Sequence, residues 1–594
     1  MERPIIDIKD VSFTYAATDE SEDVTPALSH INLKTNPGEF VGILGPSGAG
    51  KSTLAAIMSG AIPHHFKGTL YGSTLIEGKD TCDISLTDIS QTVGSVLQDI
   101  ETQMVASVVE DEMLFGLENF GVPHNQIEQR ITDTLNTVGI ADLRDREIAT
   151  LSGGQKQKVA IAAILAMQPK VLVLDEPTAA LDPASSKLVF DTLRDVHEQG
   201  VTVVVIEQKV ALLSQYCDRI VVIDHGKIFL DGTPKQTFVH AEKLRKLGVD
   251  SPRVARVSNS LAHDGFIKPG HPCLDVPEAT AMVERLIPHD LLNSDIVEDD
   301  DPVYKGSKHV VSPRPHAQDA EPILSIRDVS FQYPGGGGRV DDLNMSVYPG
   351  EMVGVIGQNG AGKTTLMKLI CGLLKPNRGN VLLAGLNTRE VPTSRIAGHC
   401  SILFQNPDYQ LCKNTVTDEV AFGLELQGVD STEARRRANK VIERFGLPAE
   451  ESPFSLSRGQ RQVVALASVV VMQPDLVLLD EPTSGLDYRE CMTVMDTVSE
   501  MANNGCAVVV VCHDMEVVSD FTERVMVMAN GKILGRGPTQ QMFENADLMH
   551  QAYIQAPQIV QLSQELTHTI SPEFSGISQV SGMVDLIEEM VRHG

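Results

Sequence analysis

Two glycine-rich strings hold the residues best suited to chemistry. Gly45-Pro46-Ser47-Gly48-Ala49-Gly50-Lys51-Ser52 and Gly357-Gln358-Asn359-Gly360-Ala361-Gly362-Lys363-Thr364 both fit G-x-x-x-x-G-K-[ST]. Each follows an apolar run of strand length, Phe40–Leu44 or Met352–Ile356. In that context the loop wraps phosphate oxygens with backbone N–H groups, and the helix it opens adds positive potential. Lys51 and Lys363 would reach the β- and γ-phosphates of ATP, and the hydroxyls of Ser52 and Thr364 would ligate Mg²⁺. Thr53 and Thr365 continue the two loops into their helices.

Carboxylates complete that chemistry. Val171-Leu172-Val173-Leu174-Asp175-Glu176 and Leu476-Val477-Leu478-Leu479-Asp480-Glu481 each end an apolar strand on an acidic pair followed by Pro-Thr. Asp175 and Asp480 would stand beside the metal, and Glu176 and Glu481 would polarise the attacking water as general bases. The same D-E-P-T at both places argues against acidic residues that merely close a strand.

The elements around these strings repeat. Asp7-Ile8-Lys9-Asp10-Val11-Ser12-Phe13-Thr14-Tyr15 returns as Ser325-Ile326-Arg327-Asp328-Val329-Ser330-Phe331-Gln332-Tyr333. Ser152 and Ser457, Asp175 and Asp480, Arg219 and Arg524 keep one spacing (480 − 175 = 305), which persists to Pro252 and Pro557. The chain is therefore two copies of one unit, each a core with a C-terminal extension. Val171–Leu174, Val201–Ile206 and Arg219–Ile223 are β-branched apolar runs, as are Val477–Leu479, Ala507–Val511 and Arg524–Met528. Such runs are expected of parallel strands covered on both faces, hence an α/β fold. We expect domains at 1–290 and 322–594. Between them, residues 291–321 carry Glu298-Asp299-Asp300-Asp301 and Ser312-Pro313-Arg314-Pro315, an acidic, proline-broken linker.

Bulk properties narrow the function. The 594 residues exceed what one core supports. A formal net charge of −30 opposes binding to nucleic acid, which draws on Lys and Arg, and it favours solubility. Nine scattered cysteines without a C-x-x-C, and no tryptophan, argue against a zinc site or a membrane-interface belt. The N-terminal segment lacks a signal-peptide core, and the runs around 159–167 and 463–472 are too short to span a bilayer. A reducing cytoplasmic setting is expected. His64-His65 sit beside Pro63 without further ligand types, so no metal but Mg²⁺ is assigned.

Leu151-Ser152-Gly153-Gly154-Gln155, with its counterpart Leu456-Ser457-Arg458-Gly459-Gln460, resembles the signature of ABC ATPases. The resemblance covers nearly the whole chain. It implies two tandem ABC-type P-loop nucleotide-binding domains, each with a RecA-like core, a helical subdomain and a C-terminal extension. It further implies that Ser152, Gly154 and Gln155, and Ser457, Gly459 and Gln460, cap ATP held on the opposite P-loop. Two ATP molecules would then lie sandwiched head to tail, in an intrachain pairing of the two domains. Gln98 and Gln405 match the Q-loop glutamine that contacts Mg²⁺. Ala180-Leu181-Asp182 and Gly485-Leu486-Asp487 match the D-loop, and Tyr15 and Tyr333 match the aromatic on adenine, although core packing suits tyrosine almost as well.

The copies differ where the switch histidine belongs. His513 occupies that place in the second half, but the first has Gln208, which can donate a hydrogen bond yet cannot become cationic. Under the family's geometry Gln208 and Arg458 fall in the same composite site. We expect that site to bind ATP and turn over slowly, while the site of Lys363, Glu481 and His513 does most of the hydrolysis. The alternative is that both substitutions are tolerated, since Glu176, Ser457, Gly459 and Gln460 survive.

A second glutamine, Gln103 or Gln410, follows each Q-loop glutamine by five residues. With Gly232–Phe238, Gly537–Phe543 and the Pro252 and Pro557 tails, it resembles ATPases of energy-coupling factor (ECF) importers of vitamins and of cobalt or nickel. That resemblance implies a membrane scaffold subunit docking near Gln98–Met104 and Gln405–Leu411, a separate substrate-binding membrane subunit, and a peripheral place on the cytoplasmic membrane face. One rival is a soluble tandem ABC ATPase acting on the ribosome. Its usual basic arm and N-terminal cysteine cluster have no match here. Another is the tandem ATPase of a sugar importer or an exporter.

Overall fold

The computed structural model describes residues 3–16, 25–179, 181–287, 321–334 and 338–593. The proposed linker lies, but for Glu321, outside the described residues, as does Ala180 of the D-loop string. Two compact units are present: Met1–Asn259 with Lys268–Asp275, and Ser260–Ile267 with Val276–Gly594. Residues 260–267 and 276–287, which the repeat places in the first copy's extension, thus group with the second copy.

The first unit is built on two sheets. The smaller contains β1 (Ile6–Tyr15), β2 (Leu28–Thr35), β4 (Gly68–Ile76) and β5 (Lys79–Asp80), in the antiparallel order β2-β1-β4-β5. The larger takes β3 (Phe40–Leu44), β6 (Val93–Val96), β7 (Val171–Asp175), β8 (Thr202–Ile206), β9 (Arg219–Asp224) and β10 (Lys227–Gly232), ordered β10-β9-β3-β8-β7-β6. Five of those strands are parallel, and β10 closes the edge antiparallel to β9. The parallel runs bury side chains on both faces: all five residues of β3 and of β8 are buried. Helices Lys51–Met58 and Pro183–Glu198 pack on this sheet, joining core clusters that share its strands.

The second unit repeats the plan. Its small sheet holds β11 (Leu324–Gln332), β12 (Arg339–Val347), β14 (Arg378–Leu383) and β15 (Leu386–Asn387), ordered β12-β11-β14-β15. Its large sheet holds β13 (Met352–Ile356), β16 (Cys400–Leu403), β17 (Leu476–Asp480), β18 (Ala507–Val511), β19 (Arg524–Ala529) and β20 (Lys532–Pro538), ordered β16-β17-β18-β13-β19-β20. The strands expected from apolar runs are all present, within a residue at either end. In each unit a helical segment separates the strand that leads to the Q-loop from the strand that ends in Asp-Glu. In the first unit it comprises Val109–Asn119, His124–Val138 and Gly153–Leu165, around Met113, Leu117, Ile131 and Val159. In the second it comprises Val416–Leu426, Ser431–Phe445 and Arg458–Val470.

The extension of the second unit packs helix Val276–Leu286 against Gln558–Thr569, with Val580–His593 beside them. Arg592 lies over the ring of Phe266, 5.2 Å from its centroid. Among the described residues no helix is long and apolar enough to cross a membrane.

Candidate functional site

Backbone geometry forms the cradle first. Gly50 and Gly362, the residues before each helix, adopt φ of 99° and 102°, where side chains are strained. A Cβ on Gly50 would also meet the carbonyl oxygen of Ala27 at 2.5 Å, so both conformation and space demand glycine. Lys51 and Lys363 are buried, and their ammonium groups fold back over the loop. Lys51 Nζ donates to Gly45 O (2.9 Å) and Pro46 O (2.8 Å), Lys363 Nζ to Gly357 O (2.6 Å) and Gln358 O (3.0 Å). Each loop thus carries a desolvated cation in its mouth, suited to phosphate oxygens.

Strand order brings the rest to that mouth. β3 lies between β8 and β9, and β7 lies between β8 and β6, so the C-terminal ends of four neighbouring strands converge. β7 delivers Asp175 and Glu176, β8 leads to Gln208, and β6 leads to Gln98. The Glu176 carboxylate accepts from Gln98 Nε2 (2.7 Å) and Gln208 Nε2 (2.8 Å). Both amides therefore aim the general-base candidate. Burial, then the Glu207 carboxylate, push the Glu176 carboxyl above its ordinary range, while Lys51 opposes them. A base so placed would hold a proton more readily than an exposed glutamate.

In the second unit one cleft of about 290 Å³ is lined by Tyr333, Asn359, Gly360, Gly362, Lys363, Thr364, Thr365, Gln405, Asp480, Glu481 and His513. Ten residues named from sequence for nucleotide, metal or catalysis thus share one wall with the aromatic. His513 Nε2 lies 3.1 Å from Glu481 Oε1, 2.9 Å from Asn359 Oδ1 and 3.5 Å from Lys363 Nζ. The His513 N–H donates to Glu481 Oε2 at 3.1 Å. An imidazole in this place can exchange a proton with the base, which the Gln208 amide cannot. Glu176 and Glu481 both take left-handed φ, 47° and 52°. That conformation costs roughly 1–3 kcal/mol in a non-glycine residue and turns each carboxylate off its strand.

The donors suit a hard cation. Each mouth offers a hydroxyl, one strand-end carboxylate and a Q-loop amide oxygen: Ser52, Asp175 and Gln98, or Thr364, Asp480 and Gln405. Magnesium is usually held by one or two carboxylates with phosphate and water completing its shell. Thr364 Oγ1 already donates to Asp480 Oδ2 at 3.4 Å, and Ser52 is hydrogen-bonded to Asp175. Burial raises both aspartates above the ordinary carboxylate range. Magnesium would supply charge neutralisation at the phosphates.

The signature segments are capping boxes. Ser152 Oγ accepts from Gln155 N, and the Gln155 side chain accepts from Ser152 N; Ser457 and Gln460 repeat this. Each helix start is thus pre-shaped, a cap worth about 1 kcal/mol. Arg458 replaces a glycine of the first copy, and its guanidinium lies against Gly485 of its own D-loop string. On Gly459 a Cβ would meet the Glu490 carboxylate at 2.5 Å, whereas on Gly154 it would meet Ser185 at 3.0 Å.

Tyr15 stands edge-on to Phe13 and Phe66, and its hydroxyl lies 3.1 Å from Thr53 Oγ1. Tyr333 meets Phe331 in the same edge-on manner. Phe66, 42% exposed beside Tyr15, was not picked out from sequence because no repeat marks it. The second glutamines have local duties: Gln103 accepts from Leu97 N and donates to Ser95 O, closing the Q-loop, and Gln410 donates to Ala465 O. Buried Glu112 and Glu419 then hold the exit of each loop, accepting from Val105 and Ala106 N–H, or from Cys412 and Lys413 N–H.

Fold and cleft together define a P-loop nucleotide hydrolase. The ABC transporter family model matches residues 28–179 and 340–484. An ABC transporter ATP-binding protein by name, from Methanosarcina acetivorans, is 35% identical over 95% of this chain and 90% of its own. The chain belongs to the ABC transporter family, and it is an ATPase of that type with two ABC domains in tandem. A solved structure of cbiO1 from Clostridium perfringens, part of the ABC transporter complex cbiONQ, is 33% identical and covers 42% of this chain and 95% of its own, with a TM-score of 0.36. The archaeal ribosome recycling factor aABCE1, solved with the stalk protein aP1, matches in fold at 20% identity, TM-score 0.53, over 90% and 91% of the chains.

Because burial raises Asp175 and Asp480, each ionised carboxylate costs stability at any pH above its raised folded-state value. Neutral isosteres should relieve that cost. Asp480→Asn is expected to raise the nucleotide-free melting temperature and to weaken Mg²⁺-dependent ATP binding. Calorimetry with and without Mg²⁺-ATP checks it; a lower melting temperature without nucleotide contradicts the reasoning.

Proposed function

We propose that this chain is the energy-coupling subunit of an ECF-type membrane importer. It would bind two Mg²⁺-ATP molecules between its domains and pass closure and hydrolysis to a membrane scaffold protein. A separate membrane protein would bind the vitamin or transition metal. The observation that carries the reading is the Q-loop string with its second glutamine, present in both halves. Where that glutamine closes the first loop, the flanking Leu97 and Val105 are left 51% and 62% exposed, and Tyr409 in the second half is 83% exposed. Large apolar side chains at the mouth of a loop that feels the catalytic carboxylate suit a docking coupling helix. The name of the Methanosarcina relative favours transport over a ribosomal role.

Gently solubilised membranes should yield a small scaffold membrane protein and a compact substrate-binding membrane protein with the tagged chain. Ribosomal proteins without a membrane partner would overturn the importer reading.

The two ATP sites should also work unequally. In the first half Glu176 is held by two amides; in the second Glu481 is paired with an imidazole. Glu481→Gln is expected to lower steady-state ATPase at least about tenfold, and Glu176→Gln less than about twofold, within the range of general-base effects. Equal losses would sink the inequality and leave the importer reading intact.

A further inference from the structure

Gln208 is flanked by Glu207 and Lys209, whereas His513 is flanked by Cys512 and Asp514. In the first half the flanking glutamate is buried and the flanking lysine partly buried, and both side chains bond to the segment that follows Glu176. Glu207 is 2% exposed, and one of its oxygens accepts from both the N–H and the hydroxyl of Thr178. The other accepts from the N–H of Gln208 at 2.9 Å. Lys209 Nζ donates to Thr178 O (2.9 Å), Leu181 O (2.9 Å) and Ser186 Oγ (2.7 Å). Ser186 Oγ in turn donates to Asp182 O at 2.9 Å.

These bonds reach Thr178, Leu181 and Asp182, at and just before the D-loop string. They anchor it to the residues on either side of Gln208, which itself aims Glu176. A buried carboxylate and an ammonium with directed acceptors hold geometry more firmly than neutral contacts do. The second half is built from other chemistry. Thr483 Oγ1 meets Cys512 Sγ at 3.6 Å, and burial holds that thiol in its neutral form. Asp514 accepts from Glu516 and Val517 N–H, capping the helix that follows, a task Lys209 does not perform for its own helix. A cysteine and an aspartate supply neither the carboxylate that holds Thr178 nor the ammonium that holds Thr178, Leu181 and Ser186 in the first half.

We propose that Lys209, with Glu207, is a clamp that makes Thr178, Leu181, Asp182 and Ser186 move as one body with the Gln208–Glu176 pair of the first half. Lys209 is a positioning residue: it acts on Glu176 through the loop and through Gln208. Its bearing on turnover rests on the unequal-site reading, but the clamp itself does not.

Hydrogen exchange of the full chain without nucleotide tests it. Lys209→Met should speed exchange across 178–186 about tenfold while β7 and β8 stay unchanged, and Lys209→Arg should restore most of the protection. Because Glu207 holds Thr178 by bonds of its own, the Glu207→Gln/Lys209→Met double variant is measured too, and the same local acceleration is expected. Unchanged exchange at 178–186 in both variants, or acceleration spread evenly over β7 and β8, overturns the clamp. In a Glu481→Gln chain, Lys209→Met should lower the remaining kcat several-fold at unchanged KM for ATP. A shift in KM alone would put Lys209 at the nucleotide and overturn the positioning role. Failure of the exchange test leaves the comparison of Glu176 and Glu481 to judge the unequal sites separately.

Discussion

Everything chemical in each half depends on one constraint: the parallel pairing of β3 with β8 and of β8 with β7, and its repeat in β13, β18 and β17. Parallel strands end at the same side, so loops from different parts of the chain meet there. Lys51, Asp175, Glu176 and Gln208 are far apart in sequence and become neighbours only through that order. The buried valines, leucines and isoleucines of these strands are therefore part of the site's mechanism. Slipping one strand would move its loop away from the others while leaving the fold class intact.

The same constraint explains why the duplication could diverge unevenly. The P-loop, the Asp-Glu pair and the capping boxes depend on backbone conformation that few residues allow: left-handed Gly50 and Gly362, left-handed Glu176 and Glu481, serine at each helix start. These agree in both copies. The residues after β8 and β18 face fewer demands from the backbone. There the copies have taken different chemistry, Glu-Gln-Lys in one and Cys-His-Asp in the other. An imidazole lies on Glu481, while a non-titrating amide lies on Glu176.

Much of this was legible in the sequence because the chemistry resides in contiguous strings and the strands in continuous apolar runs. The order of strands is not written in those runs and comes from the pairings of the fold. What stayed hidden are contacts made by side-chain direction over long separations. Nothing in the string around Lys209 says that its ammonium reaches Thr178 and Leu181 rather than solvent, and the ordinary reading of a lysine there is an exposed charge. Phe66 beside Tyr15 was invisible because it lacks a partner in the repeat. The grouping of 260–267 and 276–287 with the second copy was equally hidden, since periodicity marks the amphipathic helix Val276–Leu286 but not which neighbour covers its apolar face.

The second glutamines show how a family marker and a physical role separate. From sequence, Gln103 and Gln410 serve only to point at a subfamily. In the fold, Gln103 spans its own Q-loop from Leu97 to Ser95, and Gln410 ties its loop to Ala465 on the signature helix. Glu112 and Glu419 then fix the exits. The loop that presents Leu97 and Val105 outward is thus braced on the side that presents Gln98 to Glu176. Force applied to the exposed apolar residues has a short path, through hydrogen bonds already formed, to the carboxylate that would activate water. A loop held this way can pass a displacement of those residues to the site, and a looser one would absorb the motion.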